Sequence, residues 1–435
     1  MPMSSRRRFL QWAGATGAAV LGGCSLGPAA KESKAKVVVI GGGFGGASAA
    51  KYIRKLDAGI NVTLIEPKAR YITCPVSNWL FAGFADLDKL TVDYQALSQN
   101  YGVTVVTDTV AKIDSSRRRV ILSEEQSIDY DKLILSPGID FRWDTLPGYR
   151  QDSAEQFPHA WQAGAQTLLL QRQIQAMADG GVIVITVPAD PYRCPPGPYE
   201  RASMMACWLK QHKPKSKIFI LDAKTGFSKQ KLFEAGWAKH FGYGSANSLI
   251  EWISIADNPL TELDAQTASL QTYFGDRFRG QVLNIIPPQQ AGLIARQSEL
   301  SDSSGWCPVE PQTCRSLFQE HIHIIGDAAN YAPIPKSAFA ANSEAKVCAM
   351  AVVSLLKQKP VPEAHWLNTC YSLITPEHGI SVAGVYKLDK DQRIEAVKGS
   401  GGVSSMENGD APALEAGYAR SVYRALVGDS FGQYR

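Results

Sequence analysis

An apolar run, Lys36-Val37-Val38-Val39-Ile40, passes without a break into Gly41-Gly42-Gly43-Phe44-Gly45-Gly46, and this junction constrains the chain more than any other stretch. The run reads as a parallel strand buried on both faces. Glycines at 41, 43 and 46 follow the spacing G-x-G-x-x-G. Ala47 to Leu56 reads as a helix with Ala49, Ala50, Tyr52 and Ile53 available for packing. Asn61 to Ile65 reads as a second strand. It ends at Glu66, the usual distance of about 20 residues past the glycines. Each part has a physical reason. Gly41 permits the tight turn, Gly43 lets backbone N–H groups approach a pyrophosphate, and Gly46 lets the helix close on the sheet. Glu66 stands where a ribose diol needs an acceptor. Strand, turn, helix, strand and acid together predict a dinucleotide-binding α/β domain.

Two further stretches point to FAD rather than NAD. His323-Ile324-Ile325-Gly326-Asp327-Ala328-Ala329 reads as a strand ending in Gly-Asp, and resembles the flavoprotein motif whose Asp bonds the ribityl or pyrophosphate part of FAD. Tyr130 to Gly138 resembles the strand and turn that bring the chain back to such a domain. The middle region begins well, with a strand from Val182 to Val187, but runs into Pro188-Ala-Asp-Pro-Tyr-Arg-Cys194-Pro-Pro-Gly-Pro-Tyr199. Prolines remove amide donors and stiffen the turn, so it is unsuited to cradle a pyrophosphate. NAD(P)H is therefore not expected as the electron donor, and the loop is expected to form a wall over the flavin.

The fold class that follows is α/β, with two Rossmann-like domains and a small C-terminal flavin-binding or interface domain. The expected divisions are 1–30, 31–155, 156–285, 286–357 and 358–435. The Gly/Ser/Asp-rich segment 396–411 reads as a mobile loop. No internal repeat is evident. A stripe of Leu414, Tyr418, Val422 and Leu426 predicts a last helix packed on the protein. With 45% hydrophobic and 20% charged residues and a formal charge of +4, the 435-residue chain reads as globular, with no basic footprint for nucleic acid. Its 8 cysteines are scattered, with no CxxC or CxxCH, so no metal site and no haem attachment are expected in this chain. Ser5-Arg6-Arg7-Arg8-Phe9-Leu10-Gln11 and the Ala/Gly-rich stretch after it resemble a twin-arginine export signal. This predicts a periplasmic protein. It is either lipid-anchored at Cys24 of Leu21-Gly22-Gly23-Cys24 or cleaved near Ala29.

Longer stretches carry a family resemblance: Tyr71-Ile-Thr-Cys74-Pro-Val-Ser-Asn78, Arg193-Cys194-Pro-Pro-Gly-Pro-Tyr-Glu-Arg-Ala-Ser203, Trp306-Cys307-Pro-Val309, Pro335-Lys336-Ser337 and Leu367-Asn-Thr-Cys370-Tyr-Ser372. Through them the chain resembles the flavoprotein subunit of flavocytochrome c sulfide dehydrogenase, kin of the sulfide:quinone oxidoreductases. The resemblance implies FAD-dependent oxidation of sulfide or a related reduced sulfur compound. Electrons would pass to a separate c-type cytochrome subunit. The alternatives are a quinone acceptor, or an electron-transfer subunit without sulfide activity. It also implies that Cys74 tethers FAD through a thioether and that Cys194 forms a redox disulfide beside the flavin, which hydrosulfide attacks. The second cysteine of that pair is expected just after Gly326-Asp327-Ala328, where this chain has Ala329. Cys194 then lacks its partner, which leaves three routes: sulfide reacts directly with the flavin and Cys194 serves only as sulfur acceptor, Cys194 pairs with another thiol such as Cys207 or Cys314, or the substrate is a different thiol or sulfur species. Lys336 is expected to open a helix from Ser337 to Leu356 near Asp327 and, with the helix N-terminus, to stabilise reduced flavin.

Overall fold

The computed structural model describes residues 34–405 and 409–433. The arginine motif and Cys24 lie outside the described residues.

The chain opens as β1 (Lys36–Ile40), α1 (Phe44–Leu56) and β2 (Asn61–Ile65), followed by β3 (Thr104–Val106) and β4 (Lys132–Leu135). These strands lie in the order β4, β1, β2, β3, every neighbouring pair parallel. Only parallel strands covered on both faces read as unbroken apolar runs, and four of the five β1 residues are buried. The inserted region repeats the plan with β5 (Val182–Val187), α2 (Gly197–His212), β6 (Lys217–Asp222), α3 (Gln230–Phe241), β7 (Ile250–Ser254) and β8 (Val282–Ile285). Its order is β8, β5, β6, β7, again all parallel. The chain then returns to the first sheet as β9 (Ile322–Ile324), parallel to β4, and continues into α4 (Ala338–Leu356).

The likeness of the halves extends to their decoration. Between its third and fourth strands each carries a three-stranded antiparallel meander, over 110–129 and over 260–279. Beyond its fourth strand each sends a short strand to meet the other, Ile139 standing opposite Ala291. The expectation of no internal repeat is therefore corrected: the repeat is in the backbone and leaves little trace in the side chains.

The C-terminal part is a long hairpin, β10 (His365–Thr375) with β11 (His378–Leu388), and a final helix, α5 (Ala411–Phe431). Segment 396–411, expected as a loop, contributes a short strand, Gly402–Val403, paired to β11. The predicted stripe on α5 divides. Leu414 and Tyr418 are exposed, while the buried face runs through Ala416, Ala419, Leu426 and Val427. Close approach to the hairpin decides this, since a Cβ on Gly379 would meet the Ala416 nitrogen at 2.4 Å. The helix is fixed at its end. Asp429 accepts from Tyr52 Oη at 2.6 Å and Asn342 Nδ2 at 3.0 Å, and pairs with Lys346 at 2.7 Å. Phe431 packs against Phe44 and Tyr71.

Candidate functional site

All three parts meet around one cavity of about 430 Å³. The glycine turn forms one end. Gly41 adopts φ +96°, and a Cβ there would lie 2.2 Å from the Ser136 carbonyl; a Cβ on Gly46 would lie 1.8 Å from the Gly41 carbonyl. The turn is thus locked between β1, β4 and α1. Gly43 differs, having nothing closer than the Tyr71 hydroxyl at 3.6 Å. It caps α1 with no side-chain hydrogen bond to the first-turn amides, so those donors are left for a ligand. Glu66 holds the turn in place: one carboxylate oxygen accepts from Gly42 N at 2.8 Å and the other from Lys68 N at 3.2 Å.

Asp327 lines the same cavity, and its Oδ1 is buried without a hydrogen-bond partner. Burial raises its pKa, against the opposing pull of Arg193 and Lys336. A buried carboxylate oxygen without a donor costs free energy unless a ligand supplies one. A cradle of open amides at one end and an unsatisfied acceptor at the other fits an extended dinucleotide with a polyhydroxylated linker. Cys74, at the head of the connection to the Ser77–Ala82 turn, also lines the cavity, its sulfur 3.8 Å from the Trp161 carbonyl.

The proline-rich turn of the second half forms the facing wall. Arg193, Cys194, Gly197, Glu200 and Arg201 all line the cavity. Cys194 sits in the left-handed region, φ +57°, with its N–H donating to the Lys336 carbonyl at 2.8 Å. Glu200 is buried and fully engaged, accepting from Asn78, Trp79 and the Leu373 amide.

Two sequence expectations are corrected here. First, Cys194 has a thiol partner, and it is neither at position 329 nor Cys207 nor Cys314. It is Cys370, on β10, within hydrogen-bonding reach, and both line the cavity as free thiols. Cys207 instead donates to the Ile374 carbonyl at 3.3 Å, and Cys314 packs against Cys348 and Tyr331. The neighbouring thiols split in their titration: Cys370 and burial raise the Cys194 thiol far above its usual value, and Cys194 lowers Cys370, helped by nearby Lys229. Second, Lys336 does not present its ammonium to the cavity. It donates to the carbonyls of Asp327 at 2.8 Å and Ala329 at 2.7 Å and lies over the Trp306 ring at 3.9 Å. Burial pushes it down to about 8, with Asp327 the largest opposing influence. It clamps the loop that carries Asp327. The helix it precedes starts where expected, Ser337 accepting from Ala340 N at 3.0 Å.

Where the second half would need an acid for a ribose, at the end of β6, Asp222 is fully buried and already used. It accepts from Tyr199 Oη, from Trp252 Nε1 at 3.0 Å and from Lys224 Nζ at 2.6 Å. The Tyr199 ring in turn stacks on Phe227 at 3.7 Å. Sequence reasoning missed Asp222 along with Lys229 and the pairing of Cys370. The strand end was the available signal for the first, and nothing local marked the other two.

Comparison with known proteins agrees with this layout. Residues 35–176 match the family of pyridine nucleotide-disulphide oxidoreductases. Residues 167–287 match the central region of the flavoprotein chain of sulfide dehydrogenase [flavocytochrome c], and 362–431 the flavin-binding region of flavocytochrome c sulphide dehydrogenase. A sulfide dehydrogenase [flavocytochrome c] flavoprotein chain from Chlorobaculum thiosulfatiphilum is 70% identical over 43 residues, 10% of this chain and 90% of that sequence. A mitochondrial sulfide:quinone oxidoreductase from Dictyostelium discoideum is 23% identical over 72% of this chain and 69% of its own length. Among solved structures, the sulfide:quinone oxidoreductase of Aquifex aeolicus shares the fold, with a TM-score of 0.66 at 16% identity over 92% of this chain and 93% of that one. With the cradle described above, these matches make FAD the cofactor of the cavity.

Proposed function

From the premise that the chain belongs to the flavocytochrome c sulfide dehydrogenase flavoprotein family, we propose that it oxidises hydrosulfide through Cys194 and Cys370 and passes the electrons to a separate c-type cytochrome. The observation that carries this reading is the meeting of the two thiols on the wall of the cavity that the glycine turn and Asp327 enclose. The Gly41–Gly46 turn would hold the pyrophosphate, Glu66 the ribose, Asp327 the ribityl or pyrophosphate part, and Cys74 the thioether tether. When bound, FAD supplies a two-electron acceptor that can be emptied one electron at a time.

The remaining steps belong to side chains. Oxidised, Cys194 and Cys370 share a disulfide. Hydrosulfide attacks one of its sulfurs, a new S–S bond forms and the Cys194–Cys370 bond breaks, leaving a persulfide and a thiolate. A second hydrosulfide removes the sulfane sulfur as hydrodisulfide. The two reduced cysteines would regain their bond on losing two electrons, which bound FAD would be there to accept. In sum, two HS⁻ yield HSS⁻, one proton and two electrons. Glu200, held by three donors, fixes the wall that carries Cys194 to β10. NAD(P)H is not the donor in this reading, because Asp222 has no acceptor to spare and the turn before α2 is built of prolines. The arginine motif at 6–8 supports export to the periplasm, with lipidation of Cys24 or cleavage near Ala29 as its two processing routes.

Anaerobic mixing with sulfide tests the reaction. The wild type is expected to lose its yellow absorbance, and Cys194→Ser and Cys370→Ser to slow this by a factor on the order of a hundred or more. Unchanged rates in both variants would mean that sulfide reacts with the cofactor without the thiols. The likeness to sulfide:quinone oxidoreductases over most of the chain favours quinone as the second reading of the acceptor. Reduction of quinone but not of cytochrome c by the sulfide-treated protein would establish that reading instead.

A further inference from the structure

Behind the thiol pair lies a lysine that the reaction above does not use. Lys229 is the N-cap residue of α3 and adopts the left-handed conformation, φ +63° and ψ +23°. Such backbone in a residue other than glycine costs energy and persists where the surroundings hold it. Its side chain crosses from the second half to the C-terminal hairpin, where Nζ donates to the Cys370 carbonyl at 3.2 Å and to Ser372 Oγ at 2.8 Å. Both acceptors are neutral, yet the residue is only 7% exposed. A buried ammonium needs a compensating charge nearby. Burial lowers its pKa, and the groups that oppose this are Cys370, Glu200, Cys194 and Glu415, of which Cys370 exerts the strongest pull toward the charged form. Glu200 is committed to Asn78, Trp79 and the Leu373 amide. The thiols themselves face one another, Lys229 and Glu200 from the side of Cys370, and Arg193 and Glu200 from the side of Cys194.

Resting on the reading of the thiol pair given above, we propose that Lys229 is a positioning residue that makes Cys370 the thiolate of the opened pair. The polarity of the first step follows. In thiol–disulfide exchange the sulfur whose thiolate is better stabilised leaves faster. Hydrosulfide therefore attacks the sulfur of Cys194, and the products are Cys194–S–SH and the Cys370 thiolate. The electron pair of the broken bond goes to Cys370, and the Lys229 ammonium compensates its charge without transferring a proton.

The test uses the FAD-loaded protein, reduced anaerobically and pulsed with iodoacetamide between pH 6 and 9, with the alkylated cysteines located by peptide mass. In the wild type Cys370 is expected to react first, with its profile centred below that of an ordinary thiol. Lys229→Met is expected to slow its labelling about tenfold at pH 7, the consequence of a shift of about one pH unit, while Lys229→Arg stays near the wild type. An unchanged profile in Lys229→Met overturns the proposal. So does earlier labelling of Cys194 in the wild type, a result that needs no variant to fold. Peptide mapping of the oxidised wild type separates this from the underlying reading: without a Cys194–Cys370 disulfide peptide the thiol reaction itself fails, whereas with that peptide and an unmoved profile only the role of Lys229 falls.

Discussion

The two α/β halves share strand order, parallel pairing and an antiparallel meander, yet they finish their first strands in opposite ways. In the first half the turn after β1 is glycine, its helix keeps open amides, and the acid at the end of β2 both holds the turn and lines a cavity. In the second, the turn after β5 is proline-rich, and the acid at the end of β6 is sealed by Tyr199, Trp252 and Lys224. The same sheet topology thus makes a cofactor cradle in one half and a packed plug in the other. The second half instead carries Cys194 and Arg193 onto the cavity of the first. Topology places turns, and the residues of the turn decide what is bound.

Breaking the cradle is expected to have the largest effect. In Gly46→Ala the new Cβ lies 1.8 Å from the Gly41 carbonyl, a backbone atom that cannot step aside. The variant is expected to lose at least about 3 kcal/mol and to purify without flavin. Its absorbance ratio at 450 and 280 nm is the measurement, and full yellow colour would show that the turn tolerates a side chain.

Breaking the plug is expected to cost stability and spare the cofactor. Asp222→Asn leaves the Lys224 ammonium, 12% exposed, without its charged partner. Removal of one member of a buried pair costs about 3 kcal/mol. The urea midpoint is expected to fall while flavin content in water stays stoichiometric, with no NADH oxidation gained. Flavin loss in this variant as complete as in Gly46→Ala would erase the distinction between the halves.

The cradle was legible because its chemistry is local. A glycine spacing, an apolar run and an acid at a fixed distance each have one physical use, and all of them lie between Lys36 and Glu66. The start of α4 was legible for the same reason, Ser337 being a capping residue followed by an apolar helix. The pairing of Cys194 with Cys370 was not, because it depends on how the hairpin β10–β11 docks on the second half. The internal repeat was hidden for another reason. Arg118 and Ala268 occupy the same turn of the two meanders at φ +51° and +49°, as do Glu125 and Gly275 at +62° and +92°. At these positions the backbone repeats with side chains that share neither charge nor size. On α5, periodicity identified a stripe but not the small residues, Ala416 and Ala419, by which the helix approaches its neighbours.

Acid should separate the halves next. His323 on β9 is buried in the first sheet, its Nδ1 bonded to the Thr313 carbonyl at 2.8 Å and its Nε2 without a partner. Burial pushes it down to about 4 from 6.5. Below pH 6.5 the unfolded chain binds a proton here that the folded chain refuses until about pH 4. Stability is therefore full above pH 6.5 and falls through that window, by up to about 1.4 kcal/mol per pH unit. The strands of the second sheet carry no histidine. From pH 7 to 5, His323→Gln is expected to lose about 2 kcal/mol less than the wild type in urea titrations. Equal losses would place the acid sensitivity elsewhere, His159 at the join between the halves, pushed down to about 3 by burial, being the first candidate.

The smallest effect concerns how helices that border the cavity begin. Neither helix that follows a first strand has a side-chain cap: α1 starts from Gly43 and α2 from Pro196. For α1 the uncapped amides are the cradle, whereas α2 is anchored through Glu200 and Arg201. At the start of helix α4 the chain itself satisfies the Ala340 amide, because Ser337 accepts from Ala340 N and donates to Asn368 Oδ1 at 2.6 Å, tying the helix to β10. Ser337→Ala is expected to cost about 1 kcal/mol, as loss of a cap does, with flavin content unchanged. If flavin binding weakens in step with stability, the start of α4 is part of the cradle after all, and the division between amides reserved for the cofactor and amides satisfied by the chain has to be redrawn to include it.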